Sequence, residues 1–195
     1  MVPVANKSSK LILASGSPRR RELLTRARID FEVMQSGVDE IREVHERARE
    51  YALRMARDKA LAVSSKHPHR DVLAADTVVE CDGAILEKPV DAADATRMLN
   101  ALAGRTHTVV TAYAIAREGK IVARDAIVSR VTFRPLTAAE IAEYIATGEP
   151  FDKAGAYGIQ GIGGGFITHV EGSRDNVMGL PTDEVLAALQ RHDII

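Results

Sequence analysis

Apolar and polar positions along the chain change period several times, and each change predicts an element. Leu11–Ala14 is an unbroken apolar run, the pattern of a short buried strand. It leads into Ser17 and Pro18, an N-cap and a first helical residue, with Leu23 and Leu24 opening an apolar face. Phe31–Met34 reads as a second strand. From about Glu43 to Ser65 the spacing is helical, with Ala52, Ala56, Lys59 and Val63 on one face and Tyr51, Met55 and Ala60 beside them. Val72–Glu80 is a buried β run interrupted by one acid, Asp76. Cys81–Gly83 turns the chain and AILEKP returns, which predicts a hairpin. Asp91 caps a helix that turns Ala95, Met98, Leu99 and Leu102 inward and closes at Gly104.

The second half continues the alternation. Thr106–Ala116 and Ile121–Phe133 are β-rich runs around a turn at Arg117–Lys120, a long hairpin. Thr137–Glu140 is a capping box ahead of Ile141, Tyr144 and Ile145, and Gly148 ends that helix. Lys153–Gly165 reads as a glycine-rich loop, Phe166–Val170 as a strand and Pro181–Arg191 as a last helix. Strands alternating with helices, with hairpins adding antiparallel pairs, define an α/β class with a mixed sheet. No internal repeat or linker divides the chain. Residues 1–10 read as a flexible lead-in and 11–195 as a single two-lobed domain.

Composition narrows the function classes. With 26 basic and 27 acidic residues the chain lacks the basic excess of a general nucleic-acid binder. Aromatic residues are 4% of the chain and tryptophan is absent, too few for base-stacking platforms. Any anion site is therefore local. No apolar run approaches the length of a membrane span, and the N-terminus lacks the apolar core of a secretory signal. The single cysteine, Cys81, has no partner in the chain, so a reducing cytoplasm is the expected compartment.

Two positions break local rules. Arg19, Arg20 and Arg21 fill the first turn of a helix, where the dipole is already positive and each exposed cation costs roughly 0.3–1 kcal/mol. They can snorkel to water, but a strand-to-helix turn with free N–H groups, Ser15, Ser17 and forked guanidiniums also suits a polyphosphate. Successive helical residues point about 100° apart, so the three cannot converge, and Arg21 is the one expected to face water. Asp76 is the second anomaly, because an acid in a buried strand is costly without partners. It can end the strand, or it can hold a divalent cation or activate water. Lys59, on the edge of an apolar stripe, and Lys88, fixed by Pro89, can neutralise phosphate oxygens. Glu40, in the acidic pair Asp39–Glu40, becomes a candidate metal ligand only beside Asp76. Gln160 lies between glycines and carries an amide able to read a base edge, with Lys153–Tyr157 as a wall beside it. The six histidines are scattered without zinc spacing, and no G-x-S-x-G is present.

Taken together, LILASGSPRRRELL, LAADTVV, LEKP, GRTHTVVTA, EPFDKAGAYGIQG and VMGLP resemble the Maf family, in that family's order and over residues 11–190. The resemblance implies an elongated mixed β-sheet with flanking helices and a central cleft, like that of inosine triphosphatases. It implies a nucleoside triphosphate pyrophosphatase that cleaves between the α- and β-phosphates with Mg2+ or Mn2+. The family's catalytic acid matches Asp76, its phosphate-contacting motif Ser15, Ser17, Arg19 and Arg20, and its acidic and lysine positions Glu40, Lys59 and Lys88. The subgroup acting on dTTP and UTP is similar at Arg19, Thr77 and Gln160, whereas the subgroup associated with 7-methyl-GTP differs there. Glu171–Asp175 departs from the family pattern in its charge. The expected partner is a nucleoside triphosphate, without nucleic acid or membrane, and a homodimer is compatible with the sequence. The competing expectations are a purine or modified-nucleotide specificity, and a non-catalytic nucleotide-binding regulator of cell division, since the family is also described as septum-formation inhibitors.

Overall fold

The computed structural model describes residues 10–195, so all but the last residue of the expected lead-in lies outside the described residues. Strand β1 (Leu11–Leu13) is followed by α1 (Pro18–Arg26), β2 (Phe31–Val33) and α2 (Ala48–Ser64). Next come β3 (Val72–Cys81), β4 (Ala84–Leu86), α3 (Ala92–Leu102), the long hairpin β5 (Thr106–Arg117) and β6 (Lys120–Phe133), and α4 (Ala138–Ala146). Three single 3₁₀ turns (Glu149–Asp152, Ala154–Ala156, Ile162–Phe166) lead to β7 (Ile167–Glu171), α5 (Arg174–Met178) and α6 (Thr182–Arg191).

The seven strands form one mixed sheet in the order β2-β1-β3-β5-β6-β7, with β4 also on β3. β1 runs parallel to β2 and β3, and every other pair is antiparallel. The period-two pattern of β3 sorts its side chains. Val72, Ala74 and Val78 pack under α2, while Leu73 and Ala75 pack toward α1 and α6. A third cluster gathers α3 and α4 around Phe133, Tyr144, Tyr157 and Phe166, whose rings meet edge to face. The fold class expected from the sequence is the one observed.

One detail of the ladder makes the site. β1 pairs with β3 only at Val72 and Leu73, and β4 joins β3 only from Val79. Between those points β3 has a ladder partner on the β5 side alone. The sheet is therefore notched beside Asp76 and Thr77.

Three expectations are corrected. Helix α2 begins at Ala48, not near Glu43. His45 adopts a left-handed conformation, and Glu46 turns its carboxylate back to the Glu43 N–H and onto the Arg54 guanidinium at 2.6 and 2.7 Å, which breaks the helical run. The strand expected at Phe166 starts at Ile167, because Phe166 closes a 3₁₀ turn and faces the aromatic cluster. The segment read as a plain loop, Lys153–Gly165, carries two of the 3₁₀ turns.

Candidate active site

The notch opens into a cleft of about 690 Å³, walled by the β1–α1 turn, the loop after β2, β3, β4 and the 3₁₀ turns after α4. At its floor the odd–even alternation of β3 aims Asp76 toward α2, where the apolar stripe ends in Lys59. Lys59 Nζ donates to Asp76 Oδ1 at 2.6 Å and to Glu40 Oε1 at 2.5 Å. Lys88 Nζ reaches the other Glu40 oxygen at 2.9 Å. The lysine on the inner stripe thus joins an acid of the sheet to an acid of the loop before α2. Tyr51, about two helical turns before Lys59, donates its hydroxyl to the Glu40 carbonyl at 3.1 Å and fixes that loop.

The two carboxylates differ electrostatically. Burial pushes the Asp76 carboxyl up, and Lys59 and Arg20 only partly offset it. Burial acts in the same direction on Glu40, but hydrogen bonds from Lys59 and Lys88 outweigh it and hold the group at about 2. Tyr51 is pushed up by burial and by the surrounding acids. The site thus holds one firmly ionised acid and one whose proton affinity is raised.

The α1 end is built as its sequence predicts. Ser17 caps the helix, and Ser15 accepts from the Ser17 N–H at 3.1 Å. Arg20 lies across this end. Its Nε donates to the Gly179 carbonyl at 2.8 Å, Nη1 to Ser15 Oγ at 3.3 Å and Nη2 to Thr77 Oγ1 at 3.1 Å. Arg19 points to the opposite wall, where Asp152 Oδ2 accepts from it at 3.3 Å. Arg21 is exposed, as its helical direction requires.

Ser15, Ser17, Arg19, Arg20, Glu40, Lys59, Asp76, Thr77 and Lys88 all line one cleft. Gln160 does not. Its side chain is exposed and donates to Glu22 on the outer side of α1 at 2.8 Å, beside a smaller recess that also contains Arg26, Arg174 and Asp175. Ile159 lines the cleft, and the next side chain, Gln160, is exposed on the other side. The charged departure at Glu171–Asp175 falls outside the main cleft, and Asp175 pairs with Arg26 at 2.5 Å.

Sequence reasoning missed the acids of the opposite wall. Asp152 accepts from both Arg19 and Lys153. Glu149 takes the N–H groups of Ile162 and Gly163 and the Tyr144 hydroxyl, and so pins the glycine loop. A Cβ at Gly161 would lie 2.3 Å from the Glu149 carboxylate, so a side chain there would displace the group that pins the loop. The available signal was EPFDK, two acids and a lysine immediately before a glycine run.

Among the described residues, no group of three or more His, Cys, Asp or Glu side chains is arranged to hold a metal by itself. The donor chemistry nevertheless fits a hard divalent cation. Asp76 and Glu40 offer oxygens around one point, held here by the Lys59 ammonium, and Mg2+ commonly takes one or two carboxylates with substrate phosphates supplying the rest.

Fold and site together define a class: an α/β protein with a notched mixed sheet and a cleft that sets arginines and lysines beside paired acids. Within that class the chain belongs to the Maf family, since the family described as Maf-like protein matches residues 10–192. Among similar proteins, one from Anaeromyxobacter sp. (strain Fw109-5) is 52% identical over 93% of this chain and 89% of its own length. One from Koribacter versatilis (strain Ellin345) is 46% identical over 97% and 98%. Both are named dTTP/UTP pyrophosphatase. A solved HAM1 protein from Coxiella burnetii shares the fold at 14% identity, with a TM-score of 0.52 over 93% of this chain and 98% of that one.

Proposed function

We propose that this protein hydrolyses nucleoside triphosphates, dTTP and UTP foremost, between the α- and β-phosphates, releasing the monophosphate and pyrophosphate. The observation that carries this reading is the buried Asp76, shared with Glu40 by one lysine and set beside an arginine-flanked helix N-terminus. Relatives of 46–52% identity named for that activity support it.

In this reading the phosphates lie over the Ser17 end of α1, where unpaired N–H groups and the helix dipole favour anions. Ser15, Ser17, Arg19, Arg20 and Lys88 distribute the negative charge. Asp76 takes a proton from the attacking water, and its raised proton affinity makes it a stronger base than an ordinary carboxylate. Lys59 keeps that carboxyl oriented and ionised before the proton moves. Asp76 and Glu40 would hold Mg2+ or Mn2+. When bound, the cation would neutralise phosphate oxygens and make the phosphorus more electrophilic. Arg19, Thr77 and Gln160 are the proposed specificity positions, and Gln160 must first release Glu22 to face the cleft. We place the reaction in the cytoplasm, in one two-lobed domain spanning 11–195. Among the described residues, no helix is long and apolar enough to cross a membrane.

The test is a nucleotide panel with a divalent cation, scoring pyrophosphate. Release from dTTP and UTP at the highest kcat/KM is expected. Binding without turnover refutes the enzyme reading, orthophosphate as the product moves the cleavage site, and a purine ranked first overturns the pyrimidine assignment.

A further inference from the structure

We propose that Thr111, outside the cleft and fully buried, is a positioning residue for substrate binding, because it sets the hydrogen-bond polarity that fixes the Arg20 guanidinium. The inference rests on the pyrophosphatase reading for its consequence, though not for its geometry.

Thr111 sits opposite Thr77 in the β3–β5 ladder. Its hydroxyl donates to the Asn176 carbonyl at 2.7 Å, and a carbonyl can only accept. A hydroxyl has one proton, so Thr111 can only accept from Thr77, whose oxygen is 3.0 Å away. Thr77 therefore spends its own proton on Thr111. What it turns toward Arg20 is a lone pair, and Nη2 donates to it. The direction of the whole chain, from Arg20 through Thr77 and Thr111 to Asn176 as its last member, is the same read from either end, since a guanidinium can only donate and a carbonyl can only accept.

That last member is fixed. The Asn176 amide donates to the Val109 carbonyl at 3.3 Å and to Ser129 Oγ at 3.0 Å, and the residue is fully buried. At the other end, Arg20 has five N–H donors, and three are held by Gly179, Ser15 and Thr77. The two left over belong to a guanidinium that cannot rotate, in a side chain lining the cleft. A planar fork held in advance loses less freedom when it meets a phosphate. Without the Thr111 hydroxyl, the Thr77 proton loses the acceptor that holds it, and the lone pair that receives Nη2–H is no longer fixed in direction.

Valine matches threonine in shape, so Thr111→Val removes the hydroxyl alone, and Thr111→Ser keeps it. Thr77→Val and the double variant complete a cycle, with thermal unfolding recorded for each. For Thr111→Val, KM for dTTP or UTP should rise about tenfold with kcat within about twofold, the scale of one hydrogen bond to a charged group. Thr111→Ser should stay close to the parent, and the double variant should be no worse than Thr77→Val, since both cut one chain. Solvent exchange of the Arg20 Nε–H, followed by NMR, should accelerate in Thr111→Val. An unchanged KM with unchanged Nε–H exchange overturns the proposal. So does a serine variant as impaired as the valine one, or additivity in the double. If the parent releases no pyrophosphate, the functional reading falls instead, and Nε–H exchange alone decides the positioning claim. If Thr111→Val does not fold, Thr111→Ala, which also lacks the hydroxyl, decides it by the same two readouts.

Discussion

Replacing Lys59 by methionine removes the ammonium that joins the two acids while keeping most of the side chain's bulk. The direct attraction across 2.6 Å to Asp76 is about 6 kcal/mol at an effective dielectric of about 20. Methionine also abolishes the lysine's own desolvation cost, which is several kcal/mol, so the net loss is smaller. Removing one partner of a buried pair leaves about 3 kcal/mol as the expected destabilisation. In a chain of this length, 195 residues, that lowers the melting temperature by about 6–12 °C. The pH dependence carries the diagnosis. Burial already holds the folded-state value of Asp76 above its unfolded value, and without Lys59 it moves further up. A group shifted in this sense supports the folded state most below its unfolded value and loses that support as pH rises through the folded one. The deficit of Lys59→Met should therefore be larger at about pH 8 than at about pH 5, since acidification favours the neutral carboxyl that burial prefers. Thermal unfolding by circular dichroism at both values measures it. A variant within about 2 °C of the parent near pH 8, or a deficit that widens on acidification, refutes the account of the buried pair.

Asp76→Asn should lower kcat for pyrophosphate release by about 10²–10⁴, read in the same pyrophosphate assay. His107, buried against Tyr157 with Nδ1 unpartnered, is pushed down by burial to about 4. Its unfolded state takes the proton first. The stability it contributes, about 3 kcal/mol, is present above about pH 6.5 and is lost as pH falls through about 4. His107→Phe should flatten that limb of the urea-unfolding profile. Gly155 has a φ of +71°, and a Cβ there would lie 2.9 Å from Val79. Gly155→Ala should cost about 2 kcal/mol or more in chemical denaturation, and Val79→Ala should recover only the steric part.

The elements were legible because their periods are strong. The even residues of β3, the stripe of α2 and the capping box at Thr137 were readable without tertiary knowledge. The site was legible where a residue breaks a local rule, as Asp76 does in its strand and Arg19 and Arg20 do in their first turn. Where residues obey local rules, nothing marked them. A threonine in a β run is ordinary, so Thr111 gave no sign of its role, and a capped short helix hid Asn176. The direction of Gln160 was illegible for another reason: it depends on whether Glu22, far away in sequence, is there to receive the amide. The start of α2 failed likewise, because the Arg54 fork that captures Glu46 lies in the following turns of the helix.

The stretch of β3 between Leu73 and Val79 is an edge strand hidden inside a sheet. An open edge at a sheet's margin is a template on which another chain can add a strand, and proteins normally blunt it. Here β1 ends on one side and β4 begins on the other, so the free backbone lies at the bottom of a recess only five residues long. A foreign strand needs a longer, unobstructed run to gain its ladder, and the flanking strands deny it one. A small polyanion needs no such run. The notch therefore discriminates by size against self-association while leaving its floor open to solutes, and the protein can carry an unpaired strand without inviting aggregation.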